Sequence, residues 1–580
     1  MYDIKIVGGT VIDGTGAEAR SASVAIKDGR IVEVGACDGG AREIIDAAGR
    51  VVSPGFIDVH THYDAQSFWD ATYSPSCYHG VTTILGGFCG FSIAPLSPSA
   101  GEYLCSMLAR VEGMPLQTLQ SAVPWDWQSF GDFLGRLDGK VGLNAGFYCG
   151  HSAIRRVVMG ERAVGEEATP EEIGEMKALL ASSLEQGALG FSTTISPSHN
   201  DGDGNPVPSR WASRTELLEL ASVVRDYEGT GLELLPDLAI PDGTRELMTD
   251  FSLAGQRPVN WNVLTVTGTT QIDEQRLEKH LGLSDFARSK GAEVVALAAP
   301  CTPNVYINLH GGVLFDMNPG LWQTIFRVPF DERVEMFKDP EVRRQLAEEA
   351  ASVPADAPMI TIARLARMRI ASVINPENEK YVDQFVGDIA TEQGREVIDV
   401  MLDIALADGL KTTFAPEIGG EDPETYKVRG KVWLDDRTLI GASDAGAHMD
   451  MIDTFAFSTI ILQRAVREYG VLSLVEAVHQ MTKVPADFMG LKDRGVLAPG
   501  LCADVVVFDP ETVGCGPVYM RGDVPGDAER LYADAVGVGE VIVNGVTIVR
   551  GGEHTGARPG KVLRRESDTF TNLIAAARPA

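Results

Sequence analysis

Pro54-Gly55-Phe56-Ile57-Asp58-Val59-His60-Thr61-His62-Tyr63-Asp64 is an apolar run that ends in two histidines spaced i and i+2. On a strand those two side chains share a face, so both imidazoles can reach one ion. Asp58 and Asp64 flank the pair, and a carboxylate beside a ligand histidine is the usual means of orienting its ring. A chemistry-bearing strand end of this kind belongs on the C-terminal rim of a parallel barrel. The surrounding sequence supplies the strands. Eight apolar runs are candidates, at 51–58, 81–86, 142–148, 188–193, 231–235, 258–264, 292–298 and 439–444. Helical stretches at 170–186, 214–227 and 273–290 separate several of them. The first opens on Thr169-Pro170-Glu171-Glu172, with Pro at the first helical position and acids in the first turn. Strand, helix and strand repeated about eight times define an α/β protein with a parallel sheet, and the count predicts a closed (β/α)8 TIM-type barrel.

The spacing breaks once, over roughly residues 300–435, which is too long for a loop inside a compact domain. Helical stretches at 340–351 and 394–407 predict a mainly helical subdomain inserted over 301–434. Short strands with hairpin signals occupy the first fifty residues, among them Ser23-Val24-Ala25-Ile26 before Asp28-Gly29. The same vocabulary returns in Ala503–Pro510 and Glu540–Val546. The expectation is one small β-sandwich built from both chain ends, residues 1–53 plus 492–552, the alternative being two unrelated terminal sheets. The barrel then covers 54–300 plus 435–491, and 553–580 is a polar, irregular tail.

Composition narrows the function classes. Of 580 residues, 44% are hydrophobic and 23% charged, ordinary globular usage. The net charge of −31 makes nucleic acid and anionic membrane surfaces poor partners. The eight Cys form no CxxC motif, and their scatter suits a reducing compartment. No run approaches the ~18–20 apolar residues of a spanning helix, and Met1–Val7 lacks a basic start and an apolar core. These features predict a cytoplasmic protein acting on a small molecule, with its oligomeric state, a homo-oligomer included, left open.

Other strand ends carry chemistry. Cys89 follows the second strand in Gly86-Gly87-Phe88-Cys89-Gly90, and spacing alone leaves it either a thiolate ligand or a small buried hydrophobe. Cys149-Gly150-His151 with Arg155 and Arg156 follows the third strand, and a run ending in His199 follows the fourth. Asp444, after the eighth, is placed as a ligand or as a general base, the alternative being a helix N-cap. His280, in a helical charged stretch, and His554, in the tail, read as solvated.

The Pro54–His62 segment between strand-rich ends resembles the amidohydrolase superfamily and, more narrowly, its N-acyl-D-amino-acid deacylase (D-aminoacylase) branch. His79-Gly80-Val81-Thr82-Thr83, Gly87–Ser92, Gly150-His151 with Arg155 and Met159-Gly160, and Gly187–Ser192 carry that resemblance further. Gly500–Val507 and Val543-Asn544-Gly545 fit the branch's closing sheet. The resemblance implies that Cys89 is a zinc ligand and Asp444 the base. It also implies histidines at the ends of the fifth and sixth strands, where this chain has Gly231–Asp237 and Val259–Val263, neither containing His. The residue before the cysteine, Asn in the branch, is Phe88. Glu233 either points inward as a further ligand or outward into solvent. The remaining set, His60, His62, Cys89 and Asp444, offers N, N, S and O donors suited to one zinc ion. The expected activity is metal-dependent hydrolysis of a C–N amide bond, foremost deacylation of an N-acyl (D-)amino acid, with His151, Arg155 and His199 holding the substrate. Alternatives are a cyclic amide or imide hydrolase, a deaminase, or a non-catalytic scaffold.

Overall fold

The computed structural model describes residues 1–357 and 360–578. Eight strands run parallel through its centre: β1 (Phe56–Asp58), β2 (Val81–Gly86), β3 (Asn144–Phe147), β4 (Gly190–Thr194), β5 (Gly231–Leu235), β6 (Val259–Leu264), β7 (Val294–Ala298) and β8 (Thr438–Ile440). β1, β2 and β3 pair in sequence order. Beyond Tyr148, Cys149–Gly150 continues from β3 and pairs with β4, and the order then runs β4, β5, β6, β7, β8. Past the last strand, Thr61 and Ala445 form a parallel bridge, and Ser443 Oγ donates to Asp58 Oδ2 at 2.6 Å. The α/β pattern read from the sequence is present.

Alternation along these strands sorts their side chains. Ile57, Leu85, Leu189, Val295, Leu297 and Leu439 pack in one cluster, whereas Phe56, Ile84, Phe191, Leu234, Trp261 and Ile440 join the core shared with the helices. Helices cover the outside, among them Pro170–Glu185, Arg214–Val224 and Gln271–Ser289. No helix among the described residues is long and apolar enough to cross a membrane.

Residues 51–58 are not a single strand. Val51–Pro54 pairs antiparallel with Val505–Phe508 in a seven-stranded sheet drawn from both chain ends, and β1 starts only at Phe56. Gly55 makes the crossing, because a Cβ there would lie 2.1 Å from Thr82 Cγ2. A four-stranded sheet from the first fifty residues shares a core with the seven-stranded one: Ile4, Ile6, Val24 and Ile26 pack with Val52, Val505, Val507 and Ile542.

The segment after β7 has a separate core, including Trp322, Phe337, Leu346, Ile389, Met401 and Phe414. Its later helix runs Val397–Ala407, with Gly394 left-handed (φ 63°) as the cap of the preceding helix. Pro423–Trp433, inside the expected insertion, instead places Tyr426, Val432 and Trp433 in the main core, as the helix leading into β8.

The C-terminal tail is mostly irregular yet docked. Ala145 donates to the Lys561 carbonyl at 2.9 Å, and Val562, Leu563 and Ile574 are buried. His280 also corrects the sequence reading. It is buried on the inner face of its helix, edge-on to Trp261 at 5.6 Å, and its Nε2 donates to the Leu238 carbonyl at 3.0 Å. His554 is half-buried, with Nδ1 accepting from Gly556 N at 2.9 Å.

Candidate metal centre

His60 and His62 leave the end of β1 with Nε2 atoms directed to one point. His60 Nε2 lies 3.6 Å from Cys89 Sγ and 3.4 Å from Asp444 Oδ1, and His62 Nε2 lies 3.8 Å from the same Oδ1. The donor atoms of His60, His62 and Cys89 all fall within 4.8 Å of one another. Zinc bonds of about 2.0–2.1 Å to nitrogen and about 2.3 Å to sulfur, at a tetrahedral angle, separate ligand atoms by about 3.3–3.6 Å. The donor set suits zinc in its chemistry, and the separations from His60 Nε2 match that spacing, while the His62–Asp444 separation is slightly longer.

The backbone around these groups is strained where it must aim them. Cys89 (φ 56°) and Asp444 (φ 47°) both sit in the left-handed region, as do Ala442 and His448 on the turn after β8. Gly446, at φ 93°, lets that turn pass His62, whose carbonyl carbon a Cβ would meet at 2.8 Å. His62 N donates to the Ala445 carbonyl at 2.8 Å, tying the first-strand ligands to the last-strand one.

Burial sets the protonation states. It presses His60 down to about 3 and His448 to about 4, and holds His62 well below the usual histidine range. Neutral imidazole is the form that ligates. Burial also raises Asp444 to about 6, Asp58 and Asp64 to about 7, and Glu112 and Glu233 well above the carboxylate range. None of these five carboxylates is paired with Lys or Arg among the described residues. Ionising buried carboxyls without cations is costly, and a divalent ion at this point would offset that cost.

Glu233 points inward and is fully buried. Its Oε2 accepts from Cys89 N at 3.0 Å, while Oε1 is buried without a partner. Asn262 Nδ2 donates to Cys89 Sγ at 3.2 Å, and its Oδ1 likewise lacks a partner. Phe88 stacks on the His60 ring at 4.8 Å. The flanking carboxylates do not orient the histidine rings. Asp58 accepts from Ser443 and from the His60 amide, and Asp64 accepts from Gly87 N at 3.1 Å. Behind His62 stands instead Glu112, which sequence reading missed: its Oε1 lies 3.3 Å from Nδ1. No local spacing signals Glu112, because it arrives from the end of the helix Gly101–Val111.

His199 lies beside this cluster, packed on Phe91 at 4.9 Å, with a buried, unpartnered Nδ1. His151 and Arg155 correct their assignment as substrate-holding groups. Both are fully buried, His151 bridging Thr193 Oγ1 and Glu216 Oε1 at 2.9 Å each. Arg155 Nη1 donates to both Glu216 oxygens, and Nη2 to the Glu166 carbonyl at 2.7 Å. Burial pushes Glu216 up, but its bonds and charge contacts with His151 and Arg155 outweigh that and hold it below its ordinary value. Arg155→Met leaves this carboxylate short of its cation, and the expected cost is about 3–5 kcal/mol. Chemical denaturation reads it as a lower midpoint; an unchanged midpoint would return Arg155 to the substrate.

Neutral imidazoles, a cysteine and a carboxylate gathered at the ends of parallel strands define a metal-dependent hydrolase. A family model described as amidohydrolase family matches residues 43–549, and the chain belongs to that family. It acts on carbon–nitrogen bonds other than peptide bonds. The D-aminoacylase of Alcaligenes xylosoxydans xylosoxydans is 26% identical over 573 residues, 97% of this chain and 98% of that protein. The N-acyl-D-glutamate deacylase of the same organism is 28% identical, covering 97% of each. Among solved structures, a D-aminoacylase superposes with a TM-score of 0.66 at 26% identity, over 97% of this chain and all of that one. The N-acyl-D-glutamate deacylase of Bordetella bronchiseptica, in complex with zinc and a phosphonate mimic of the tetrahedral intermediate, gives 0.62 at 25% identity, over 97% and 99%.

Proposed function

We propose that this protein deacylates an N-acyl amino acid of D configuration, using one zinc ion held by His60, His62, Cys89 and Asp444. The convergence of both histidine Nε2 atoms with Cys89 Sγ and Asp444 Oδ1 carries the reading. Glu233 Oε1, buried and unpartnered, is a further donor toward the same point. The relatives named above are deacylases of N-acyl-D-amino acids, and one D-aminoacylase of 27% identity is described by one-metal activation and second-metal attenuation of a binuclear centre. With no histidine on β5 or β6, a second ion would depend on Glu233 and Asn262, and an amide is a poor zinc ligand beside Cys and His.

A bound zinc ion supplies a Lewis acid that acidifies water and polarises an amide carbonyl. Asp444, whose side chain is 29% exposed while both histidines are buried, faces the approaching substrate. Its carboxylate takes the proton of the attacking water and returns it to the leaving nitrogen. Cys89 and the histidines stay fixed, and His199 lies where it can contact the substrate beside them. The supporting architecture in this reading is a (β/α)8 barrel closed through the Thr61–Ala445 bridge, a β-sandwich of the two terminal sheets, and an inserted helical unit after β7. The setting is cytoplasmic.

Purified protein assayed on N-acyl-D- and N-acyl-L-amino acids, dipeptides and cyclic imides, alongside elemental analysis, tests the proposal. The expected result is hydrolysis confined to N-acyl-D-amino acids, with about one equivalent of zinc per chain. Turnover of cyclic imides alone, or two tightly held equivalents, would overturn it.

A further inference from the structure

Glu112 has only 2% of its side chain exposed, and the titratable side chains paired with it are two imidazoles. Oε1 lies 3.3 Å from His62 Nδ1 and Oε2 lies 3.8 Å from His448 Nε2. Among the described residues no Lys or Arg forms an ion pair with it. A carboxylate so placed needs a donor, and the nearest ring nitrogen is His62 Nδ1. With Nε2 of His62 directed at Asp444 and the cluster, Nδ1 is left facing Glu112. His60 differs, since its Nδ1 is buried with no partner at all.

The backbone keeps Glu112 there. It caps the helix Gly101–Val111, and its own carbonyl accepts from His448 N. The next residue, Gly113 (φ 57°), lies so close to that turn that a Cβ would meet His448 Cα at 3.2 Å. Ala447 N in turn donates to the Asp444 carbonyl at 3.0 Å. Glu112 is therefore built onto the turn that presents Asp444, while its side chain reaches the ring of His62.

We propose that Glu112 is a positioning residue for the metal centre: its carboxyl oxygen accepts a hydrogen bond from Nδ1–H of His62, which favours the tautomer that leaves Nε2 unprotonated and ties that ring to the Asp444 turn. The inference rests on the zinc reading above. Partners of this kind typically change metal affinity by about 10–100-fold.

The test is zinc competition against a chromophoric chelator, with full-length Glu112→Ala, Glu112→Gln and His60→Ala, and thermal unfolding of each metal-free protein. Glu112→Ala is expected to bind zinc about 10–100-fold more weakly while the metal-free protein still shows the thermal unfolding transition of a folded chain. Glu112→Gln keeps an oxygen that can accept from Nδ1 and should recover part of that loss. Wild-type zinc affinity in folded Glu112→Ala overturns the inference. Should the alanine variant fail to fold, wild-type affinity in Glu112→Gln does so. If His60→Ala also binds zinc as the wild type does, the metal centre itself is misassigned. Loss in His60→Ala with none in the Glu112 variants defeats the positioning role alone.

Discussion

His60→Ala protein is expected to fold, to lose its zinc on dialysis against dilute chelator, and to lose turnover in step, by well over the about 100-fold that an outer partner is worth. The reason is geometric. His60 Nε2 is within 3.6 Å of both the thiol and the carboxylate oxygen, so its removal takes out the donor nearest the middle of the set. Phe88 and the strand ends remain, and the loss is local. His62→Ala should behave in the same way. Elemental analysis and a single assay on the best substrate measure both quantities on one preparation. A variant that keeps a full equivalent of metal and full turnover would remove β1 from the metal site, and with it the reading of this fold as a hydrolase built around the pair.

The sequence is most legible where chemistry and local geometry coincide. His60 and His62 share a face by strand alternation alone, and Cys89 and Asp444 sit just past strand ends, where alternation stops mattering and position suffices. Glu112 was not legible, because its relation to His62 exists only once a helix end meets the end of the first strand. Arg155 shows the opposite failure. A cationic side chain four residues beyond a histidine suggests a grip on a substrate anion, but the anion it meets is Glu216, folded onto it from the helix Arg214–Val224. His280 went the same way: charged neighbours signalled solvent, while the helical period turned that one ring toward Trp261. At the strand boundary, the run 51–58 looked continuous because hydrophobicity does not record that Pro54 lacks an amide donor or that Gly55 must clear Thr82.

Asp444→Asn separates the two roles this residue could fill. Asn is the appropriate replacement because the backbone there has φ 47°, a conformation that Asn tolerates and most larger residues resist. It keeps the shape and a neutral oxygen near His60 and His62, but it cannot take a proton from water at neutral pH. If proton transfer is its main work, the variant should retain most of its zinc and lose about 10²–10⁴-fold in turnover, with substrate affinity little changed. Retained zinc beside that loss sets it apart from His60→Ala, in which metal and turnover fall together, and from Glu112→Ala, in which affinity falls first. Were the zinc to leave Asp444→Asn along with the activity, the carboxylate would be a ligand before it is a base. The exposed face of its side chain would then serve to complete the ion's coordination, and the proton would have to be taken by another group at the opening. Wild-type turnover in Asp444→Asn would exclude both roles, and would shift the chemistry toward Glu233, the buried carboxylate that accepts from Cys89 N.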